Sequence, residues 1–390
     1  MPHIYGLDDS GQKLAARAAQ LAKDVLGKHA EDVDTKARFP EESIAALGAD
    51  GLLGLCVPAS LGGKGQGPRA FVAVVEELAQ ACASTAMIYV MHVTAAQAIA
   101  SSSSLAHKDD VLKAVAAGKH LTTLAFSEKG SRSHFWAPVS KLTPKGEGFT
   151  TSAFKSWVTS ASRADSYVSS AQKPGAQSPL ESTVYLAQKP LQNGARVTSK
   201  FDGLGLRGND SAPVSIENMN VAKGDLISPL GEGSKTMLEV VLPWFAIGTA
   251  AMSAGLCRAS VGVTSKHLSE ASFEHLGGQK LRDLQPLRVR IAEMAVKTDR
   301  ARALLGYTCG ELEAPSAMTP LFVLETRIAA LQAADEVTDL AMKACGGAAF
   351  SRQLGLERIF RDARAGWVMA PTVDQLQDFV GKALTGLPLF

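Results

Sequence analysis

The order of textures along this chain constrains its fold more than any single residue: a helical block, a strand-and-turn block, then a second helical block. Up to about residue 118, apolar side chains recur at helical spacing. Leu14, Ala18, Leu21, Ala22 and Val25 form one stripe, and Phe71–Ala81 and Met87–Ala100 form further runs. Pro58 and the cluster Gly62, Gly63, Gly65 and Gly67 punctuate the connection between them. From about 119 to 228, Gly, Ser, Thr and Pro become frequent. Thr183–Leu186 and Val214–Ile216 read as strands there, and Pro174–Pro179 as a hairpin loop. Helical texture returns from about 229 to 390, most strongly over Leu287–Leu305 and Pro320–Ala344. This α–β–α order is unlike the βαβ alternation of a dinucleotide-binding sheet, and the chain carries no Rossmann or Walker glycine pattern.

Composition excludes several classes of protein. With 46% hydrophobic and 20% charged residues, the 390-residue chain has the material for a large packed core rather than disorder. A formal charge of +2, with no Lys/Arg block, gives no reason to expect a nucleic-acid partner. The N-terminal residues lack a basic-then-apolar signal pattern, and the apolar stretch near Trp244–Leu256, broken by Gly248 and Gly255, is short for a membrane span. Five cysteines, far apart and without metal-type spacing, suit a reducing compartment, so the expectation is a cytoplasmic protein with no metal.

Four motifs, in order, narrow the function. They are Leu124-Ala125-Phe126-Ser127-Glu128-Lys129-Gly130-Ser131-Arg132-Ser133, then Lys155-Ser156-Trp157-Val158-Thr159 with Ala164-Asp165, then Leu204-Gly205-Leu206-Arg207-Gly208. The last is Cys345-Gly346-Gly347, followed by Arg361-Asp362 and Val368-Met369-Ala370-Pro371-Thr372. Together they resemble the acyl-CoA dehydrogenase family over roughly residues 35–380. The resemblance implies an α+β fold: an N-terminal helical domain, a central β-barrel or sandwich, and a C-terminal four-helix bundle. It implies FAD as cofactor, because a redox isoalloxazine needs fixed donors along its edge. The backbone around Phe126 and Ser127 would meet the flavin pyrimidine edge. Ser133 would face the pyrophosphate and the thioester arm, Trp157 the ring, and Thr159 the N5 edge. Gly346, Gly347, Thr372 and Asp374 would complete the cofactor site. Glu239 and His92 would join Ser133 on the substrate side. Implied partners are an acyl-CoA, an electron-transfer flavoprotein or flavin reductase, and further copies of the chain in a homodimer or homotetramer.

The departures carry as much weight. In many family members the loop after the Arg-Asp pair supplies a glutamate that removes the α-proton of the thioester; here Ala370 stands in its place. The alternative base position in the family's third domain falls on Val241. Glu239, two residues earlier on a helix, points elsewhere and cannot simply substitute. The family's pyrophosphate-binding arginine is replaced by Glu274, with Lys280, Arg282 or Lys343 as basic substitutes. His92 and His134 are weak candidates for a base, and no catalytic base is assigned. Four functions stay open: a dehydrogenase with a relocated base, a flavin monooxygenase on the same fold, a base-free thioester reaction such as desulfination, and a non-catalytic subunit paired with an active relative.

Overall fold

In the computed structural model, which describes residues 3–132 and 134–389, the two helical blocks pack against each other into one large core. The Asp9–Leu21 helix starts where Asp8 accepts a hydrogen bond from the Gly11 N–H at 2.6 Å. It continues through a π-turn, Ala22–Leu26, into Gly27–Lys36, and the stripe read from the sequence faces the core along this run. Pro68, whose missing N–H costs nothing in a first turn, opens the Pro68–Ala81 helix. That helix packs on Leu242–Glu270, which in turn packs on Gln285–Glu313 and Thr319–Cys345.

Among the described residues, two helices, Ala83–Ala100 and Gly233–Glu270, are long and apolar enough to cross a membrane. Their apolar windows are 89% and 72% buried inside the molecule, so these helices are apolar because they form its core. The second is longer than the apolar stretch near Trp244–Leu256 suggests from sequence, because Gly248 and Gly255 do not interrupt it. Gly248 approaches Val90, and Gly255 approaches the Glu76 carbonyl, each at a helix crossing where a Cβ would collide.

Between the helical blocks lie two sheets. β1 (Thr122–Ala125), β4 (Ser166–Gln172) and β5 (Ser182–Gln188) form one, with β1 parallel to β4 and β5 antiparallel to it. β2 (Thr143–Lys145), β3 (Gly148–Val158), β7 (Ala212–Val221) and β6 (Ala195–Val197) form the other, antiparallel throughout. The Pro174–Pro179 turn joins β4 to β5, as its composition predicts. Tyr167 and Tyr185 from the first sheet and Val214, Ile216 and Met219 from the second share one core, which makes this a sandwich.

The Arg361-Asp362 pair locks the three parts together. Arg361 makes two hydrogen bonds to the Asp34 carboxylate, at 2.8 and 2.5 Å, and one to the Leu204 carbonyl at 3.1 Å. Asp362 accepts from the Leu206 N–H at 2.7 Å. Gly205 lies so close beneath them that a Cβ there would stand 2.3 Å from the Arg361 carbonyl oxygen. The pair positions the loop that ends in Ala370 and leaves its chemistry to other residues.

Candidate active site

An open pocket lies where the first sheet, the second sheet and the C-terminal helices meet. β1 and the segment after it supply Leu124, Phe126, Ser127 and Phe135; β3 supplies Ser156 and Trp157. Met91, Val241, Phe245 and Ala370 close it from the helical side. The two motif loops are stitched by backbone bonds, Ser156 N–H to Ser127 O at 2.8 Å and Lys129 N–H to Phe154 O at 3.0 Å.

Beneath the stitch sits a buried ion pair, Lys155 Nζ to Glu128 Oε1 at 2.7 Å. Lys155 also donates to the Ser170 carbonyl at 2.8 Å. Glu128 accepts from the Val139 and Ser140 N–H groups at 2.7 and 2.8 Å and from the Ser140 hydroxyl at 2.5 Å. Burial pushes the Glu128 carboxyl up, but the Lys155 charge and these hydrogen bonds outweigh it and hold the group ionised. Both residues belong to motifs visible in the sequence. Their mutual contact was not, because 27 residues separate them.

Trp157 is the most unusual wall of the pocket. The β3–β7 register shifts between Lys155 and Val158, and this bulge puts Trp157 at φ +58°. A bulky residue in the left-handed region is strained, and strain of this kind persists where the surroundings enforce it, commonly at functional sites. The indole is 66% exposed, its nearest ring partner being Phe201, edge-on at 6.3 Å. A core tryptophan would be buried; this one presents a flat apolar face to the opening.

The other expected residues divide clearly. Phe126 and Ser127 line the pocket with Trp157. Thr159 is buried, its hydroxyl 2.9 Å from that of Ser211 rather than at the pocket wall. A mutual bond uses one of the two hydroxyl protons, so the pair keeps a donor for another acceptor. Gly346 and Gly347 end the Thr319–Cys345 helix with open space around them. Thr372 caps the Val373–Thr385 helix, accepting from Gln375 N–H at 3.5 Å, and Asp374 stands exposed in its first turn. None of these four reaches the pocket. Ser133 lies outside the described residues.

On the substrate side, two expected residues lie away from the pocket wall. His92 is fully buried, its Nδ1 accepting from Thr122 N–H and its Nε2 donating to Leu53 O, each at 3.1 Å. It joins a helix to the first sheet, and its neighbour Met91 is the residue that faces the pocket. Glu239 is exposed on a π-turn, Met237–Val241, whose other end places Val241 in the pocket wall. His134, the other weak base candidate, is exposed with its ring against Trp136. Two of the basic groups named as substitutes for the missing arginine are engaged elsewhere: Lys280 donates to the Glu270 carbonyl and Lys343 pairs with Asp339.

The pocket therefore offers four aromatic rings, two serines and, among the described residues, no carboxylate, imidazole, amine or thiol. A strained, exposed indole with Phe126, Phe135 and Phe245 around it fits a flat heteroaromatic group such as the FAD ring. No group of three or more metal-ligating side chains occurs among the described residues.

Comparison with known proteins identifies the family. Residues 8–119 match the acyl-CoA dehydrogenase N-terminal domain and residues 231–383 the acyl-CoA dehydrogenase C-terminal domain. The chain belongs to the acyl-CoA dehydrogenase family, whose members are flavin-dependent oxidoreductases acting on CH–CH groups with FAD. Among its relatives are a probable acyl-CoA dehydrogenase, YngJ, of Bacillus subtilis, 24% identical over 92% of this chain and 94% of that protein. The mitochondrial short-chain specific acyl-CoA dehydrogenase of Bos taurus is 27% identical over 92% and 86%. The butyryl-CoA dehydrogenase of Megasphaera elsdenii has the same fold, with a TM-score of 0.91 at 20% identity over 97% of this chain and 99% of that one. So does PigA with FAD and proline, with a TM-score of 0.89 at 18% identity over 97% and 98%.

Proposed function

We propose that this protein is an FAD-dependent oxidoreductase that receives the acyl part of an acyl-CoA thioester in the pocket walled by Trp157, Phe126 and Phe245. The observation that carries the reading is Trp157: a strained, exposed indole opposite an apolar wall, held by the Glu128–Lys155 pair. FAD, when bound, supplies a two-electron acceptor. The chain's own contribution is to seat a ring against Trp157, exclude water with its apolar wall, and fix both motif loops. Thr159, just past the end of the Trp157 strand, would offer a hydroxyl paired with that of Ser211. Gly346, Gly347, Thr372 and Asp374 would meet the parts of the cofactor that extend beyond the pocket, within one protomer or across an interface with a second copy of the chain.

At position 370 the pocket has a methyl group where α,β-dehydrogenation needs a proton acceptor. Dehydrogenation by the wild type is therefore slow, and Ala370→Glu should accelerate it by about 10²-fold or more, the usual worth of a placed general base. The check is the anaerobic initial rate with a panel of acyl-CoAs and an artificial electron acceptor, on flavin-loaded wild type and variant. A folded, flavin-loaded variant no faster than wild type would refute the reading of position 370. The lack of any titratable side chain among the described residues that line the pocket favours one second reading, a flavin monooxygenase on the same fold, which needs no carboxylate to take an α-proton. Substrate consumption that requires oxygen and a flavin reductase would select it.

A further inference from the structure

Arg327 lies in the middle of the Thr319–Cys345 helix and is fully buried. Among the described residues it has no carboxylate partner, and its Nε and Nη1 have no hydrogen-bond acceptor. Its two polar or π contacts both lead to the pocket wall. Nη2 donates to the Met369 carbonyl at 3.1 Å, one residue before Ala370, and the guanidinium sits 4.8 Å from the ring centroid of Phe245. Ala370 and Phe245 both line the pocket. The other buried arginine of this region behaves differently: Arg364 pairs with Asp335 at 2.7 Å. An unpaired buried cation is among the most costly groups a fold can hold, and an aromatic face plus one carbonyl compensates only part of that cost.

We propose that Arg327 is an anion-recognition residue for the pocket, and that the acyl chain it serves carries a carboxylate. The guanidinium has two unused donor nitrogens, and a carboxylate accepts from such a fork with two oxygens. Arg327 lies behind the pocket wall, so the carboxylate would have to reach it between Ala370, whose methyl is the smallest side chain of that wall, and the Phe245 ring. The carboxylate would complete the hydrogen bonding of Nε and Nη1 and neutralise the charge. The proposal rests on the thioester reading for the rest of the ligand, and on Arg327 alone for the charged end.

The test compares adipoyl-CoA with hexanoyl-CoA, chains of equal carbon count that differ in a terminal carboxylate, by calorimetric titration of the FAD-loaded protein. Wild type is expected to bind adipoyl-CoA about tenfold or more tightly than hexanoyl-CoA, the usual worth of a hydrogen bond to a charged group. Arg327→Met should abolish or reverse that preference. It should fold at least as well as wild type, because it removes an unpaired buried charge. Arg327→Lys keeps the charge and should keep part of the preference. Equal affinity of wild type for the two thioesters, or a preference that survives in Arg327→Met, overturns the proposal. If neither thioester binds, the thioester reading fails, and thermal stabilisation by free adipate decides the rest. A shift that Arg327→Met abolishes supports the anion site; no shift overturns it.

Discussion

Lys155→Met should destabilise the folded protein by about 3–5 kcal/mol, the usual consequence of stranding one partner of a buried ion pair. Glu128 would keep its three donors from Val139 and Ser140 but lose its counter-charge in a site closed to solvent. Combining Lys155→Met with Glu128→Gln removes both charges together and leaves the amide oxygen as an acceptor for the same N–H groups. The double variant should therefore be less destabilised than the sum of the single ones, with the difference reporting the pair's coupling. Urea unfolding of the four proteins measures this. A single Lys155→Met loss of less than about 1 kcal/mol, near the size of a surface substitution, would remove the pair from the account. Flavin affinity should fall alongside stability, since the pair holds Ser127 and Trp157 on facing edges of the pocket.

The second large effect is a pH dependence centred on His92. Burial pushes its pKa down to about 4 from 6.5, and both ring nitrogens are committed in the neutral form. Protonation would place a second N–H at Nδ1, facing the Thr122 N–H. His120 adds to the depression, while the Leu53 carbonyl and Asp165 oppose it. The folded pKa lies below the unfolded one, so His92 contributes stability that is fully present above pH 6.5. That contribution is lost as pH falls toward about 4, and amounts to about 3 kcal/mol. His92→Gln, which can offer both an acceptor and a donor, should flatten this part of the curve. Unfolding free energies of both proteins across the window check it, with the difference isolating His92 from the carboxylates that also titrate there. Parallel curves would show that the ring is not held neutral by the fold.

Part of this molecule could be read before its coordinates. The helix–strand–helix order survives because each block is long and its hydrophobic period is clean. Phe126, Ser127 and Trp157 are expected at the cofactor because the local motifs that carry them resemble the family's, and all three line the pocket. What the sequence hides is orientation and distance. His92 and Met91 are neighbours on one buried helix, and one residue of rotation, about 100°, decides which of them meets the pocket. A helix apolar all round gives no periodicity to settle it. Phe245, Val241 and Phe135 reach the wall from segments far apart in the chain, so only tertiary packing assembles them. Arg327 gives no warning: a single arginine on a long helix usually lies on a solvated face. The Arg361-Asp362 pair stood out as a motif, yet its partners Asp34, Leu204 and Leu206 were not legible, and its role is to join the parts of the fold.

The most direct test of the central claim is an equilibrium titration of apoprotein with FAD, followed by visible absorbance, for wild type and Trp157→Gly. Glycine accepts φ +58° without strain, so the variant should fold as well as wild type and lose only the indole face. The account predicts a yellow wild-type complex and a variant that binds FAD about tenfold or more weakly, which corresponds to about 1.4 kcal/mol of lost ring contact. Equal FAD affinity in the two proteins, or a wild type that takes up no FAD, would contradict it.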